Sequence, residues 1–383
     1  MAGIYIHIPF CRQACHYCNF HFSVSLRQKE AFLECLLQEA DMQKGFFGDP
    51  VQGKGKTVLD SIYLGGGTPS ILEAEQLAGI FDRISRYFAF DDSCEITLEA
   101  NPDDLSRDKL SALKQSPVNR LSIGIQSFHA PDLAYMNRIH SPAQALESVA
   151  FARKAGFENL TVDLIYGTPT MRDPQWRENL RTVFELDLPH VSAYALTVEN
   201  RTALEVMIRK GQAVAVDEEQ TARQFEIMLE LMAGQGYDHY EISNFARPGQ
   251  YSRHNLSYWT GQPYLGLGPS AHSYKNGQRW WNLSNTSRYI ASVRQGILSA
   301  ETEVLTAAQR FDEYVMTSLR TMWGLSLRHV EENWGVQRME WLQAGAREHI
   351  RRGLLMKQGS QLLLTDKGKL FADRIASDLF WID

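Results

Sequence analysis

One alternation constrains this chain more than any other feature. Short apolar runs at Ile4–Ile8, Ser61–Leu64, Glu95–Leu98, Arg120–Ile125, Leu160–Tyr166 and His190–Leu196 alternate with stretches of helical period. The helical stretches are Arg27–Lys44, Glu73–Tyr87, Arg107–Gln115, Pro142–Ala155, Pro174–Leu186 and Asp217–Gln235. Strands separated by helices predict a parallel sheet with helices outside, since a parallel neighbour is reached only by a crossover. Right-handed crossovers curl such a sheet, and six units fall short of the eight that close a barrel. The predicted fold is α/β, a partial (β/α)6 TIM-like barrel over 1–236. Chemistry in such barrels sits where strands end, and the unusual residues fall there: Pro9-Phe10-Cys11, Gly65-Gly66-Gly67-Thr68-Pro69, Glu99-Ala100-Asn101-Pro102, Gln126-Ser127-Phe128, and Asp163 with Gly167.

Beyond 236 the pattern changes. Residues 237–305 are rich in Tyr, Trp, Gly and Asn, with turn signals at 261–264 and 266–269, and are expected to form a connecting or lid region. From 306 to 383 helices return, followed by a hairpin at Leu354–Lys357 and Leu362–Thr365, which predicts a small helical, winged-helix-like domain. Such folds often hold DNA, but residues 301–383 carry 11 Lys and Arg against 12 Asp and Glu. With a whole-chain charge of −6, no nucleic acid partner is expected. The segment Met1–Tyr5 has no basic region or cleavable apolar stretch, and no apolar run is long enough to span a bilayer, so a cytoplasmic location is expected. Five cysteines in 383 residues do not make a disulfide framework.

Three of those cysteines, Cys11, Cys15 and Cys18, lie together after the first strand. Three thiolates on one short loop can cap three corners of a [4Fe-4S] cluster and leave the fourth iron open. The spacing also matches a helical stripe, yet Arg12, Gln13, His16 and Asn19 break any amphipathic pattern. Zinc is the rival, with His16 or His21 as fourth ligand, although structural zinc motifs usually come as paired knuckles. Cys35, between Leu33 and Leu36, and Cys94 read as core residues.

Cys-x3-Cys-x2-Cys at the end of a first strand, followed by aromatics, resembles the radical S-adenosylmethionine (SAM) superfamily. Tyr5-Ile6-His7-Ile8-Pro9-Phe10-Cys11 narrows the likeness to the branch of oxygen-independent coproporphyrinogen III oxidases and HemW-type haem chaperones, over essentially the whole chain. The resemblance implies that SAM chelates the open iron. It further implies a SAM pocket formed by Gly66, Gly67 and Thr68 in the glycine-rich turn, Glu99, Gln126, Arg138 and Asp163, with Tyr5 and Tyr17 flanking the cluster loop and Ala195 near the adenine. Without it, the three glycines are turn residues, Glu99 caps a helix and Arg138 pairs at the surface. Asp163 is different: a carboxylate within an apolar strand is costly unless paired or hydrogen-bonded.

Two features depart from the oxidases. Those enzymes have a further cysteine two residues after the third, where this chain has Phe20, and a segment ahead of the first strand, where four residues precede Tyr5. A third points the other way: His254-Asn255-Leu256-Ser257-Tyr258-Trp259 matches the HNxxYW motif of HemW-type proteins, associated there with haem. Imidazole is a common axial ligand and aromatic rings pack on porphyrin faces. A lone His in an aromatic loop is also often structural, and His272 is a second candidate ligand. The resemblance thus implies a haem chaperone with haem as cargo and acceptor haemoproteins as partners. It also implies an electron donor such as flavodoxin or ferredoxin if SAM is cleaved, and leaves room for a homodimer. Anaerobic oxidative decarboxylation of coproporphyrinogen III is the alternative, and a radical methylase a third.

Overall fold

The computed structural model describes residues 2–48 and 55–382; Met1, 49–54 and Asp383, which fall within the expected domains, lie outside them. Six strands run parallel in chain order: β1 Gly3–Ile8, β2 Ser61–Gly66, β3 Glu95–Ala100, β4 Arg120–Gln126, β5 Asn159–Tyr166 and β6 His190–Ala195. Outside them pack α1 Lys29–Met42, α2 Ala74–Ser85, α3 Arg107–Lys114, α4 Pro142–Lys154, α5 Asp173–Glu185 and α6 Glu218–Gly234. Ile4, Ile6, Ile8, Ile62, Leu64 and Leu98 are all buried. A strand covered on both faces carries a near-continuous apolar run, which is why these six were legible. Helix starts follow their caps: Ser141 accepts from the Gln144 N–H ahead of α4, with Pro142 in the first turn, and Asp217 accepts from Glu219 and Gln220 ahead of α6.

The sheet does not stop at six strands. The stretch expected as a connecting or lid region extends it at both edges. On one side β7 Asp238–Glu241 and β8 Asn244–Ala246 form a hairpin, with β8 antiparallel to β6. On the other, β9 Tyr264–Leu267 pairs parallel with β1, and β10 His272–Lys275, β11 Gln278–Asn282 and β12 Ala300–Val304 follow antiparallel. The result is an open twelve-stranded sheet, in the order β12-β11-β10-β9-β1-β2-β3-β4-β5-β6-β8-β7.

The HNxxYW stretch, expected in a loop, is helical: α7, Arg253–Trp259, between β8 and β9. Its start is fixed from a distance. The Glu95 carboxylate, at the first residue of β3, accepts from the backbone N–H of Arg253 and of His254, each at 3.1 Å, and from the Ser252 hydroxyl at 3.3 Å. A carboxylate at a helix N-terminus meets both the orphan N–H groups and the positive end of the dipole. After α8, Thr286–Arg294, a separate core around Phe311, Val315, Leu342 and Ile375 organises the C-terminal domain. It comprises α9 Ala307–Leu319, α10 Leu327–Trp334, α11 Val336–Arg351, α12 Ala372–Asp378 and a three-stranded wing of Leu325–Ser326, Gln361–Leu364 and Leu355–Gln358. No helix among the described residues is long and apolar enough to cross a membrane.

Candidate functional site

The concave face of the arc holds a cavity of about 550 Å3. It runs from the loops after the strands, where Cys11, Cys15 and Cys18 stand, down to α7, which closes it below with His254, Asn255 and Tyr258. The residues expected to hold the cluster and SAM, and His254, all border this one space: the three cysteines, Tyr5, Tyr17, Gly66, Gly67, Thr68, Glu99, Gln126, Arg138, Asp163, Ala195 and His254.

At the upper end, the chain leaves β1 through Pro9 and turns so that the three thiols are free and half-buried. Burial pushes the Cys11 thiol up to about 11 and raises Cys18 as well. The loop is tied to the strand ends by Arg138, which donates to Cys15 Sγ at 3.3 Å, Asn101 Oδ1 at 2.5 Å and the Gly124 carbonyl at 2.7 Å. The glycine-rich turn lies against the same loop: the Gly67 N–H donates to the Ile8 carbonyl at 2.8 Å and the Thr68 N–H to the Phe10 carbonyl at 2.7 Å. A Cβ on Gly67 would stand 2.6 Å from the Phe10 carbonyl oxygen, so only glycine permits this approach. Gln126, at the end of β4, has φ of 66° beside a register shift against β5, and this bulge aims its side chain into the cavity.

Two carboxyl groups line the wall. Glu99 accepts from the Tyr63 hydroxyl at 2.8 Å and the Gly66 N–H at 3.1 Å. Burial, reinforced by the nearby Asp163 charge and opposed by these two bonds, pushes it up to about 7. Asp163 accepts from the Ser122 hydroxyl at 3.2 Å, and burial pushes it up to about 6. Both are held where a cation would draw them into the ionised form.

The donor set at the top fits a multi-iron cluster. Three thiols on one loop offer one thiolate to each of three irons of a cubane. The two histidines weighed as a zinc ligand bond elsewhere: His16 Nδ1 with the Tyr135 carbonyl at 3.0 Å, His21 Nε2 with the Thr286 hydroxyl at 2.9 Å.

His254 sits at the floor, only 1% exposed. Its Nδ1 is hydrogen-bonded to the Ser61 hydroxyl and its Nε2 to the Tyr258 hydroxyl, both at 2.8 Å. The ring stacks on Tyr63, with centroids 5.1 Å apart, and burial pushes its pKa down to about 3. It is a neutral imidazole with both nitrogens engaged. His272 lies elsewhere, exposed on β10 and stacked on Trp281. Cys35 and Cys94 are buried in the core.

Sequence reasoning missed the lower wall: Thr97, Arg120, Thr161 and His190, near the starts of β3 to β6. Arg120 is 2% exposed and donates to Asn159, while His190 bridges the Thr161 and Tyr240 hydroxyls at 2.7 Å each. The available signal was polar residues recurring at the starts of otherwise apolar strands.

The radical SAM superfamily domain matches residues 5–183, and the HemN C-terminal domain matches residues 305–371. The haem chaperone HemW of Bacillus subtilis is 34% identical, covering 98% of each chain. The haem chaperone HemW of Lactococcus lactis is also 34% identical, covering 95% of this chain and 93% of that one. Among solved structures, the coproporphyrinogen III oxidase (HemN) of Escherichia coli, described as a radical SAM enzyme, superposes with a TM-score of 0.84 over 99% of this chain and 90% of that one. At 23% identity that likeness speaks for the fold.

Proposed function

The chain belongs to the HemW family, built on a radical SAM domain, and from that premise we propose that it is a haem chaperone that binds haem and hands it to acceptor haemoproteins. The observation that carries this reading is the relation to haem chaperones along the whole chain, C-terminal domain included. Phe20 supports it against the oxidase reading: it is 69% exposed at the cavity mouth, where the oxidases have a further cysteine.

Within this reading Cys11, Cys15 and Cys18 are the ligands of a [4Fe-4S] cluster, and the cavity takes SAM. When bound, the cluster supplies an electron and SAM a sulfonium that an electron can cleave. The chain's own groups do the rest. Thiols raised by burial must give up protons before they ligate iron, and Arg138, donating to Cys15 Sγ, holds the loop against the strand ends. Glu99 and Asp163 offer negative charge to the cationic end of the ligand, while the glycine-rich turn lets backbone approach it. Tyr5, Tyr17, Gln126 and Ala195 complete the walls. An electron donor of flavodoxin or ferredoxin type is needed if SAM is cleaved, and a second copy of the chain belongs to the same reading.

The test is anaerobic. The reconstituted protein is loaded with haem, mixed with an apo-haemoprotein, and transfer is followed by the acceptor's absorption spectrum. The same preparation is then given SAM, reductant and coproporphyrinogen III. Transfer without porphyrinogen turnover is expected; robust decarboxylation without haem transfer would reverse the assignment.

A further inference from the structure

A second cavity, of about 620 Å3, lies on the other side of Tyr258, whose ring borders both spaces. It opens between β9, β10 and β11 of the sheet extension and α9 and α10 of the C-terminal domain. Its size falls within the roughly 300–1,000 Å3 of small-molecule and cofactor sites.

Its lining is built differently from the first cavity's, with no thiol and no glycine-rich turn. Tyr264, Tyr274, Trp323 and Trp334 supply flat apolar surface, with Tyr264 and Tyr274 stacked at 6.2 Å. Trp323 is 43% exposed and Met316 on α9 is 37% exposed, apolar groups left facing solvent at the cavity's edge. Arg279 and Arg310 bring positive charge; Arg279 is paired with Glu313, whereas Arg310 has no ion pair among the described residues. One imidazole borders the space. His329, on α10, packs against Tyr314 with ring centroids 4.7 Å apart, and the Asn333 amide lies 3.3 Å from its Nδ1 and 3.5 Å from its Nε2. Unlike His254 it is exposed, and among the described residues only Asn333 stands against its ring nitrogens.

We propose that this second cavity is the haem seat. The macrocycle lies between the aromatic walls, His329 donates an imidazole nitrogen to the iron, and Arg310 meets a propionate. The proposal rests on the haem-chaperone reading and locates its cargo site. In the first cavity Arg120 and Arg138 stand with Glu99 and Asp163, and His254 would have to abandon Ser61 or Tyr258 to reach the iron; here Arg310 has no ion pair among the described residues and His329 is exposed. The HNxxYW helix then acts as a partition, with His254 facing the cluster cavity, Tyr258 in the wall and Trp259 facing the haem.

Ferric haem is titrated into the full chain and followed by its Soret band and low-temperature EPR. His329→Ala should bind roughly 10- to 100-fold more weakly and lose the imidazole signature, and free imidazole should restore it. Arg310→Gln should weaken haem about two- to fivefold yet leave the dimethyl ester of haem unaffected. Because Arg310 is exposed, that arm holds even if His329→Ala folds poorly. Wild-type haem binding that persists unchanged in both variants overturns the site while leaving the chaperone reading intact, as does loss of the imidazole signature in His254→Ala or His272→Ala instead. A wild type that binds no haem overturns the chaperone reading and the site with it.

Discussion

The two ends of the sheet arc solve opposite problems. Where the parallel strands end, loops present thiols, backbone N–H groups and two carboxyl groups, with Cys15, Glu99 and Asp163 hydrogen-bonded to their neighbours. Where the strands begin, α7 seals the arc, and beyond Tyr258 lies a space walled in part by Tyr264, Tyr274, Trp323 and Trp334. The upper end is preorganised polar structure, expensive to rearrange because Arg138, Glu99 and the glycine-rich turn are each hydrogen-bonded to their neighbours. The lower end is apolar surface at a seam between two cores, and such a seam can admit and release a large flat ligand with few bonds to break. A carrier needs both: a firmly held cofactor and a cargo that leaves.

If the ends are independent, the largest effect comes from the cluster loop alone. Cys11→Ser, Cys15→Ser or Cys18→Ser should abolish bound iron and sulfide and the brown visible absorption, while haem affinity stays within about twofold of wild type. Haem affinity falling together with iron content would break the comparison. Next is Gly67→Ala, which forces a methyl group to within 2.6 Å of the Phe10 carbonyl oxygen and 2.7 Å of that of Ile8. A cost of about 2 kcal/mol is expected, read as a lower thermal midpoint and poorer cluster reconstitution.

Glu99 sharpens the comparison through pH. Its native pKa, near 7, lies above the ordinary carboxylate range, so the folded apo-protein holds a proton that the unfolded chain gives up near 4.5. The folded state binds more protons in that window, and stability contributed by this group falls as pH rises from about 4.5 to about 7. A cationic ligand that draws Glu99 into its ionised form should instead bind more tightly as pH rises to about 7, then level off. Glu99→Gln should flatten both profiles and weaken SAM about tenfold, measured by calorimetric titration and thermal melts. A pH-independent wild-type affinity would remove Glu99 from the ligand's charge balance. The smallest effect lies at the shared wall: Tyr258→Phe leaves His254 Nε2 without its partner at 2.8 Å, and about 1 kcal/mol of stability should be lost. Chemical denaturation midpoints report it.

Much of the upper end was legible because its signals are local. Cys11, Cys15 and Cys18 fall within eight residues, and Gly65 to Pro69 are consecutive in the chain. Strands β1 to β6 were found within a residue or two, since burial on both faces leaves unbroken apolar runs. The sheet extension was not. Strands such as Asp238–Glu241 and Gln278–Asn282 are short, polar and partly exposed, and β9 reaches β1 from some 260 positions away in the chain. Helix α7 is seven residues long, and it is held by Glu95, whose bonds to it span about 158 positions. Its one local signal is Ser252, whose hydroxyl caps the helix by accepting from the Asn255 N–H.

By itself, the sequence determined the parallel α/β core and the thiol loop, because apolar period and motif spacing act between neighbours in the chain; the other residues of the upper cavity were implied by the family resemblance. Only the tertiary structure decided what His254 faces. It placed the imidazole at the cavity floor, between Ser61 and Tyr258, and left His329 open on the far side of the wall. Which ring nitrogen is free depends on long-range closure, and no local pattern encodes the partners that closure brings.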